Sequence, residues 1–456
     1  MRILARLVLT AAVGAAGASA LAQPQWTQLS PTAAPSSRQD HNMAPFTGNT
    51  IVLFGGSLSK NTSPLNDTWS WDGNTWTQLF PATAPTGVTG HAMAFDPARG
   101  RIVMFGGSTV PAGQVNYINE TWEWDGSDWT KMTPATSPPA RDWSSMTFDP
   151  TLGKVLLFGG RDSNNKPAGS YVPYADTWTW DGVDWVELFP ATVPNVRHGH
   201  QLAFDQGLNK VVMTGGQRPG TTYDETWVWD SGVMNWVQLA PAATPGIRVF
   251  HAMEYDPARG VLVLHGGKNT SNNTIYTDTW EFDGSTWTQV DPAGPAYGWF
   301  PIRYDAVNQE LLVQGGSPDQ GHASSDGNTW TFGAGIWTDL GNDLAGSLGS
   351  PVLSAQGALS AGELVALTLS NAAVGSTSGL FIGASNASLP FFGGTLVPSP
   401  NVLVIVPTGP TGGYTLPGVY PAGVPAGFPL FFQVWVLDPT GPQGHTASNA
   451  LTATTE

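Results

Sequence analysis

The chain has 456 residues, with 18 Lys plus Arg against 34 Asp plus Glu, a formal net charge of −16 and no Cys. That charge repels nucleic-acid phosphates and anionic lipid, and the lack of Cys removes disulfides, thiolate nucleophiles and Cys-ligated metals. With 55 Gly and 37 Pro, long helices are disfavoured and a turn-rich all-β chain is expected.

Residues 1–22 read as a secretory signal peptide: Arg2 and Arg6 precede an apolar run from Leu7 to Ala18, and Ala20-Leu21-Ala22 offers a small-residue cleavage site. The run falls short of the roughly 20 residues that span a bilayer. A secreted or cell-surface protein is expected, with no membrane insertion after signal removal.

From there the sequence repeats. Gly-Gly pairs close apolar runs at Gly55-Gly56, Gly106-Gly107, Gly159-Gly160, Gly215-Gly216, Gly266-Gly267 and Gly315-Gly316. A polar loop follows each pair, and then a Thr-Trp strand such as Asp67-Thr68-Trp69-Ser70-Trp71-Asp72-Gly73 or Asp176-Thr177-Trp178-Thr179-Trp180-Asp181-Gly182. The Trp-x-Trp alternation puts both rings on one strand face, and Asp-Gly turns the chain into a strand beginning at Trp76, Trp129, Trp185, Trp236, Trp287 or Trp337. Upstream of each Gly-Gly lies a hairpin, for example His91–Phe95, the turn Asp96-Pro97-Ala98-Arg99-Gly100, and Ile102–Phe105. Each unit is therefore a four-stranded antiparallel meander that must pack on its neighbours to bury both faces.

These residues resemble the kelch family of β-propellers over roughly residues 26 to 341. The resemblance implies an all-β chain with a six-bladed kelch β-propeller at 23–345. Trp26-Thr27-Gln28-Leu29 and Trp337 to Leu340 compete for the outer strand of the last blade, and the N-terminal strand is preferred. Residues 346–456 contain no Lys or Arg. Short strands are expected at Leu364–Leu369, Gly379–Ile382, Val402–Val406 and Leu430–Leu437, making a small β-sandwich domain. The ending from Asp438 to Leu451 resembles a C-terminal module of secreted planctomycete-type proteins, which implies attachment or display.

The short 1-2 and 3-4 turns lie at one end of such units, and the irregular 2-3 loops and 4-1 linkers lie at the other. Irregular loops on a rigid scaffold favour the second face for binding. The linkers carry Arg38, Arg141, Arg197 and Arg248, each three residues before His41, Ser144, His200 or His251. Their recurrence points first to a structural job between neighbouring units, and the repeated His, His91 included, would be held too far apart to ligate a metal.

Departures from the repeat carry the site expectations. Before Gly-Gly, Phe54, Phe105 and Phe158 give way to Thr214, His265 and Gln314, which would make one side of the ring polar near the loops. His198 is out of register, and Arg218 and Lys268 follow Gly-Gly. Together with Arg197 and Arg248 they would form a basic cluster suited to an anionic protein or glycan group. Of 20 Trp, most are repeat positions, whereas Trp143 and Trp299 stand in linkers as candidates for stacking on a ligand.

The expected function is an exported, non-enzymatic binding module for an extracellular protein or glycan, monomeric, with no cofactor, no metal and no nucleic-acid partner. Two alternatives stand beside it: a carbohydrate-active enzyme of the sialic acid mutarotase type, which the kelch resemblance allows, and a structural cell-envelope protein. The copper centre of galactose oxidase, with its Cys-crosslinked Tyr, is excluded by the absence of Cys.

Overall fold

The structure, a computed structural model, describes residues 24–454 apart from 61, 110–114, 165–169, 292, 320–322, 334–337, 340–342, 346–348, 357–363, 393, 400 and 420–428. The expected signal segment, 1–22, lies outside the described residues. Two compact units are present, one over Gln25–Gly333 and one chiefly over Ala334–Glu456.

The first unit is all-β, built from six four-stranded antiparallel sheets. In chain order the first sheet comprises Asn42–Phe46, Thr50–Phe54, Thr68–Trp71 and Trp76–Leu79. The next four sheets repeat this plan, with inner strands at Ala92–Asp96, Ser145–Asp149, Gln201–Asp205 and Ala252–Asp256. The sixth pairs Ile302–Asp305, Glu310–Gly316 and Asp326–Gly333 with Gln25–Leu29 as its outer strand. Trp337 and Leu340, the competing strand's ends, lie outside the described residues. Between them, Thr338–Asp339 pairs with Leu451–Thr454 in the second unit.

Successive sheets share cores of their own. Phe54 and Val52 from the first sheet pack with Met93, Met104, Trp124 and Trp129 from the second. The strand-starting Trp of each sheet also hydrogen-bonds backwards to the Thr of the preceding Thr-Trp strand. Trp129 Nε1 donates to Thr68 at 3.0 Å, Trp185 to Thr121 at 2.9 Å, Trp236 to Thr177 at 3.0 Å and Trp287 to Thr226 at 3.0 Å. Trp26 to Thr279, at 2.9 Å, and Trp76 to Thr329, at 3.3 Å, complete the cycle. The last of these joins the sixth sheet to the first, so the chain closes on itself without a covalent link.

The Gly-Gly pair is explained by close approach of backbone. At Gly55 (φ 69°) a Cβ would lie 2.7 Å from the Val88 carbonyl oxygen of the next linker, and at Gly56 (φ 87°) 2.7 Å from that of Gln39. Gly56 N–H donates to Val88 at 2.9 Å. Only Gly permits both the left-handed backbone and this contact.

In the second unit, strands occur at Leu364–Ser370, Thr377–Gly383, Val402–Pro407 and Pro429–Leu437, each overlapping a segment expected from sequence. A three-stranded sheet and a six-stranded sheet contribute Leu353, Leu367 and Leu369, and Leu380, Val434 and Val436, to one core.

Candidate functional site

Each linker of the first unit places one residue in left-handed backbone just before the inner strand: Asp40 (φ 57°), Gly90 (62°), Trp143 (49°), Gly199 (65°), Phe250 (58°) and Trp299 (60°). Their backbones are joined head to tail. Gly90 N–H donates to Asp40 O, Trp143 to Gly90, Gly199 to Trp143, Phe250 to Gly199, Trp299 to Phe250, and Asp40 to Trp299, at 2.7–3.0 Å. This closed hydrogen-bonded ring forms the loop-side rim of a central cavity of about 70 Å³, bounded beneath by His41, His91, His200, His251 and Met93.

Gly is the low-cost residue for such a backbone, and bulky aromatic residues there are outliers held by their surroundings. Trp143, Phe250 and Trp299 are such outliers. Phe250 stacks on Trp299 at 5.0 Å and meets Trp143 edge-on at 4.4 Å. Trp143 stacks on His198 at 5.5 Å, which packs edge-on to Tyr171 at 5.0 Å. A Cβ on Gly90 would lie 2.6 Å from Trp143 Cδ1, and one on Gly199 would lie 2.8 Å from Phe250 Cε1. The small ring members therefore make room for the large ones.

Two cations flank this aromatic row. The Arg161 guanidinium lies 3.9 Å from the Trp143 ring centroid and 4.8 Å from that of Tyr171, and its Nε donates to Asp142 at 3.2 Å. Lys268 Nζ lies 5.7 Å from Trp299. Their placement follows from bridges between linker and loop, Asp142 with Arg161 and Val249 with Lys268. Burial pushes the Asp142 carboxyl up to about 7 against the opposing pull of Arg161. Burial, followed by Arg161, holds the His198 imidazole well below its usual range.

Of the residues expected at the site, the structure brings together Trp143, Trp299, His198 and Lys268. Trp143 and Lys268 are half-buried, whereas Trp299 is only 8% exposed. His198 is fully enclosed, and its ring nitrogens meet no hydrogen-bond partner. It is thus part of the aromatic packing and is not presented as a base. Arg218 is exposed on the 2-3 loop of the fourth sheet.

The expected basic cluster does not form. Arg197 is buried against Glu225 at 2.6 Å and the Gly215 carbonyl at 3.0 Å. Arg248 is buried against both oxygens of Asp278 at 3.0 Å and the Gly266 carbonyl at 2.9 Å. Their charges are consumed by carboxylates that precede each Thr-Trp strand. The polar residues before Gly-Gly do not face the loops either. His265 is bonded to Thr279 and the Pro295 carbonyl and packs on Trp26. Gln314 bonds Thr329 and the Gly327 carbonyl. Both fill the buried slot that Phe occupies in the first three sheets.

Sequence reasoning missed Phe250, Arg161 and Tyr171. Phe250 stands two residues after Arg248 as Trp143 stands after Arg141, and Arg161 follows Gly-Gly as Lys268 does, so strict alignment of the repeats would have found both. No group of three or more His, Asp or Glu among the described residues is arranged to hold a metal. No helix among them is long and apolar enough to cross a membrane.

These features define an all-β protein built on a repeated four-stranded antiparallel sheet. Residues 123–316 match the model of the KLHDC2/KLHL20/DRC7 Kelch-repeats domain, so this stretch is of kelch-repeat type. The chain is 31% identical over 182 residues to adagio-like protein 1 of Oryza sativa subsp. japonica, covering 37% of this chain and 26% of that one. It is 31% identical over 215 residues to multiple epidermal growth factor-like domains protein 8 of Homo sapiens, covering 43% and 7%. The chain thus spans about a quarter or less of these curated relatives. The solved structure of YjhT aligns with a TM-score of 0.52 at 17% identity, over 65% of this chain and 95% of that one, a likeness of fold.

Proposed function

We propose that this is an exported, non-enzymatic interaction protein whose first unit, residues 23–345, is a six-bladed kelch propeller binding an extracellular protein through its linker and 2-3 loop face. Residues 346–456 form a β-sandwich that spaces or attaches it, and residues 1–22 direct its export. The observation that carries this reading is the row Tyr171, Trp143, Phe250 and Trp299 flanked by Arg161 and Lys268. Trp, Tyr and Arg are the side chains that dominate protein interfaces, and here left-handed backbone fixes Trp143, Phe250 and Trp299 at the rim of the central cavity, with Arg161 between Trp143 and Tyr171 and Lys268 near Trp299.

Trp143→Gly tests the reading, because Gly already fills the same ring position at Gly90 and Gly199. The variant should fold and reduce capture of the extracellular partner roughly 30-fold, corresponding to the loss of about 2 kcal/mol expected for one interface hot spot. Measured by quantitative capture with immobilised chain, a partner retained equally by both proteins contradicts the proposal. Sequencing the N-terminus of secreted protein checks cleavage after Ala22.

A further inference from the structure

Opposite the loop face, the centre of the first unit opens among the turns that follow the inner strands. The cavity there measures about 350 Å³ and reaches from Pro97, Pro257 and Ala306 inwards to Met93, Met146 and Arg303, which also bound the smaller cavity above. That volume suits a small molecule. The collar is aromatic: Phe95, Phe148, Phe204, Tyr255 and Tyr304 come from equivalent positions of five successive inner strands.

One residue deeper, the inner strands carry Ala44, Ala94, Thr147 and Ala203, and then Glu254 and Arg303. Four of the six equivalent positions carry small side chains, so a charged pair on adjacent strands is a departure confined to one wall. The pair is loose. Arg303 Nη1 lies 3.4 Å from Glu254 Oε2, whereas the linker Arg141 grips Asp176 with two bonds of 2.6 and 2.7 Å. Arg303 otherwise donates to the Ile302 carbonyl at 2.6 Å and Asn42 Oδ1 at 3.0 Å.

The Glu254 side chain is 25% accessible and that of Arg303 12%. Both line the cavity, so this open surface faces its interior. Burial pushes Glu254 up and Arg303 down, each opposed by the other's charge. Desolvated charges gain most from a partner that completes their hydrogen bonding.

We propose that this cavity binds a small zwitterion of the amino-acid class, its carboxylate on Arg303, its ammonium on Glu254 and its apolar side chain within the aromatic collar. A simple anion would leave Glu254 facing negative charge, and a simple cation would do the same to Arg303. A zwitterion meets both and leaves the net charge of the floor unchanged. The site lies at the other end of the unit from the loop face and does not depend on the function proposed above.

The test is calorimetric titration of the full chain with leucine, phenylalanine and tyrosine, and with the decarboxylated amine and deaminated acid of each. At least one amino acid should bind saturably, with both of its single-charge analogues at least tenfold weaker. Glu254→Gln, nearly isosteric, and Arg303→Met should each weaken that amino acid tenfold or more. If Arg303→Met fails to fold, Glu254→Gln decides. Absence of saturable binding by all three amino acids, equal binding of an analogue, or full affinity in Glu254→Gln overturns the proposal.

Discussion

Lowering the pH from 7.5 to 5 should destabilise the first unit by more than any single substitution of an exposed residue. Six buried histidines, His41, His91, His198, His200, His251 and His265, have imidazoles held below their usual range, with burial the leading cause in each. His91 and His200 are lowered to about 3 and His265 to about 4. The unfolded chain protonates these rings near pH 6.5 and the folded chain does not. The stability they permit is therefore whole above about pH 6.5 and is lost as pH falls towards 3 or 4.

At pH 5 the loss is about 2 kcal/mol for each of these three rings, from about 1.4 kcal/mol per pH unit below 6.5. The other three act in the same direction. Asp142 opposes them: raised to about 7, it favours the folded state as pH falls, by about 3 kcal/mol over the same interval. Against a typical stability of about 5–15 kcal/mol, the histidines prevail, and the urea midpoint should fall sharply between pH 7 and 5. Replacing His91, His200 and His251 by Phe, the residue that stands at the equivalent position as Phe300, should flatten that dependence. A midpoint independent of pH, or an unchanged slope in the triple variant, contradicts this assignment.

Arg141→Ala should cost about 3–5 kcal/mol, the range for breaking a buried ion pair from one side. The Arg141 carbonyl accepts from Gly107 N–H at 2.8 Å, and its N–H donates to the Ile118 carbonyl at 3.2 Å, both in the segment joining the second and third strands of the second sheet. Its guanidinium reaches Asp176 and the Gly159 carbonyl at 2.8 Å in the third, beneath the Tyr174 ring at 4.1 Å. One residue therefore links two repeats, and its removal takes the charged partner from Asp176, which keeps the Trp178 indole N–H, and the side-chain donor from the Gly159 carbonyl. Arg141→Lys should recover little, because an ammonium cannot make the paired bonds. Arg38, Arg197 and Arg248 hold equivalent places, so the double replacement of Arg197 and Arg248 should unfold the unit before it changes any ligand affinity. Denaturant titration of the variants checks this, and a loss below about 1 kcal/mol, the level of a surface ion pair, contradicts it.

The strand plan was legible because its signals are local. Trp-x-Trp alternation fixes which face is buried, Asp-Gly fixes the turn, and Gly-Gly marks where two linkers meet. The roles of the departures were less legible because they depend on which sheet faces which. Thr214, His265 and Gln314 look like a polar wall in sequence, yet their slot is buried, and His265 bonds Thr279 of its own sheet and packs on Trp26 of the next. Arg197 looks free until Glu225, 28 residues on, is seen to sit ahead of its Thr-Trp strand as Asp67 does for Arg38. Trp143 and Trp299 were visible as non-repeat aromatics. That they form one row through Phe250 is a property of the closed backbone ring, which no single linker contains. The Glu254 and Arg303 pair was hidden for the same reason: the residues are 49 positions apart in separate repeats and adjacent only when inner strands are aligned.

The central claim is that the linker and 2-3 loop face binds the partner, and hydrogen exchange of the chain, free and with the captured partner, tests it most directly. Exchange should slow in residues 161–164, 170–173 and 268–276, around Arg161, Tyr171 and Lys268, and stay unchanged in the turns Asp96–Gly100 and Asp256–Gly260. Protection confined to those turns, or to residues 346–456, would contradict the account.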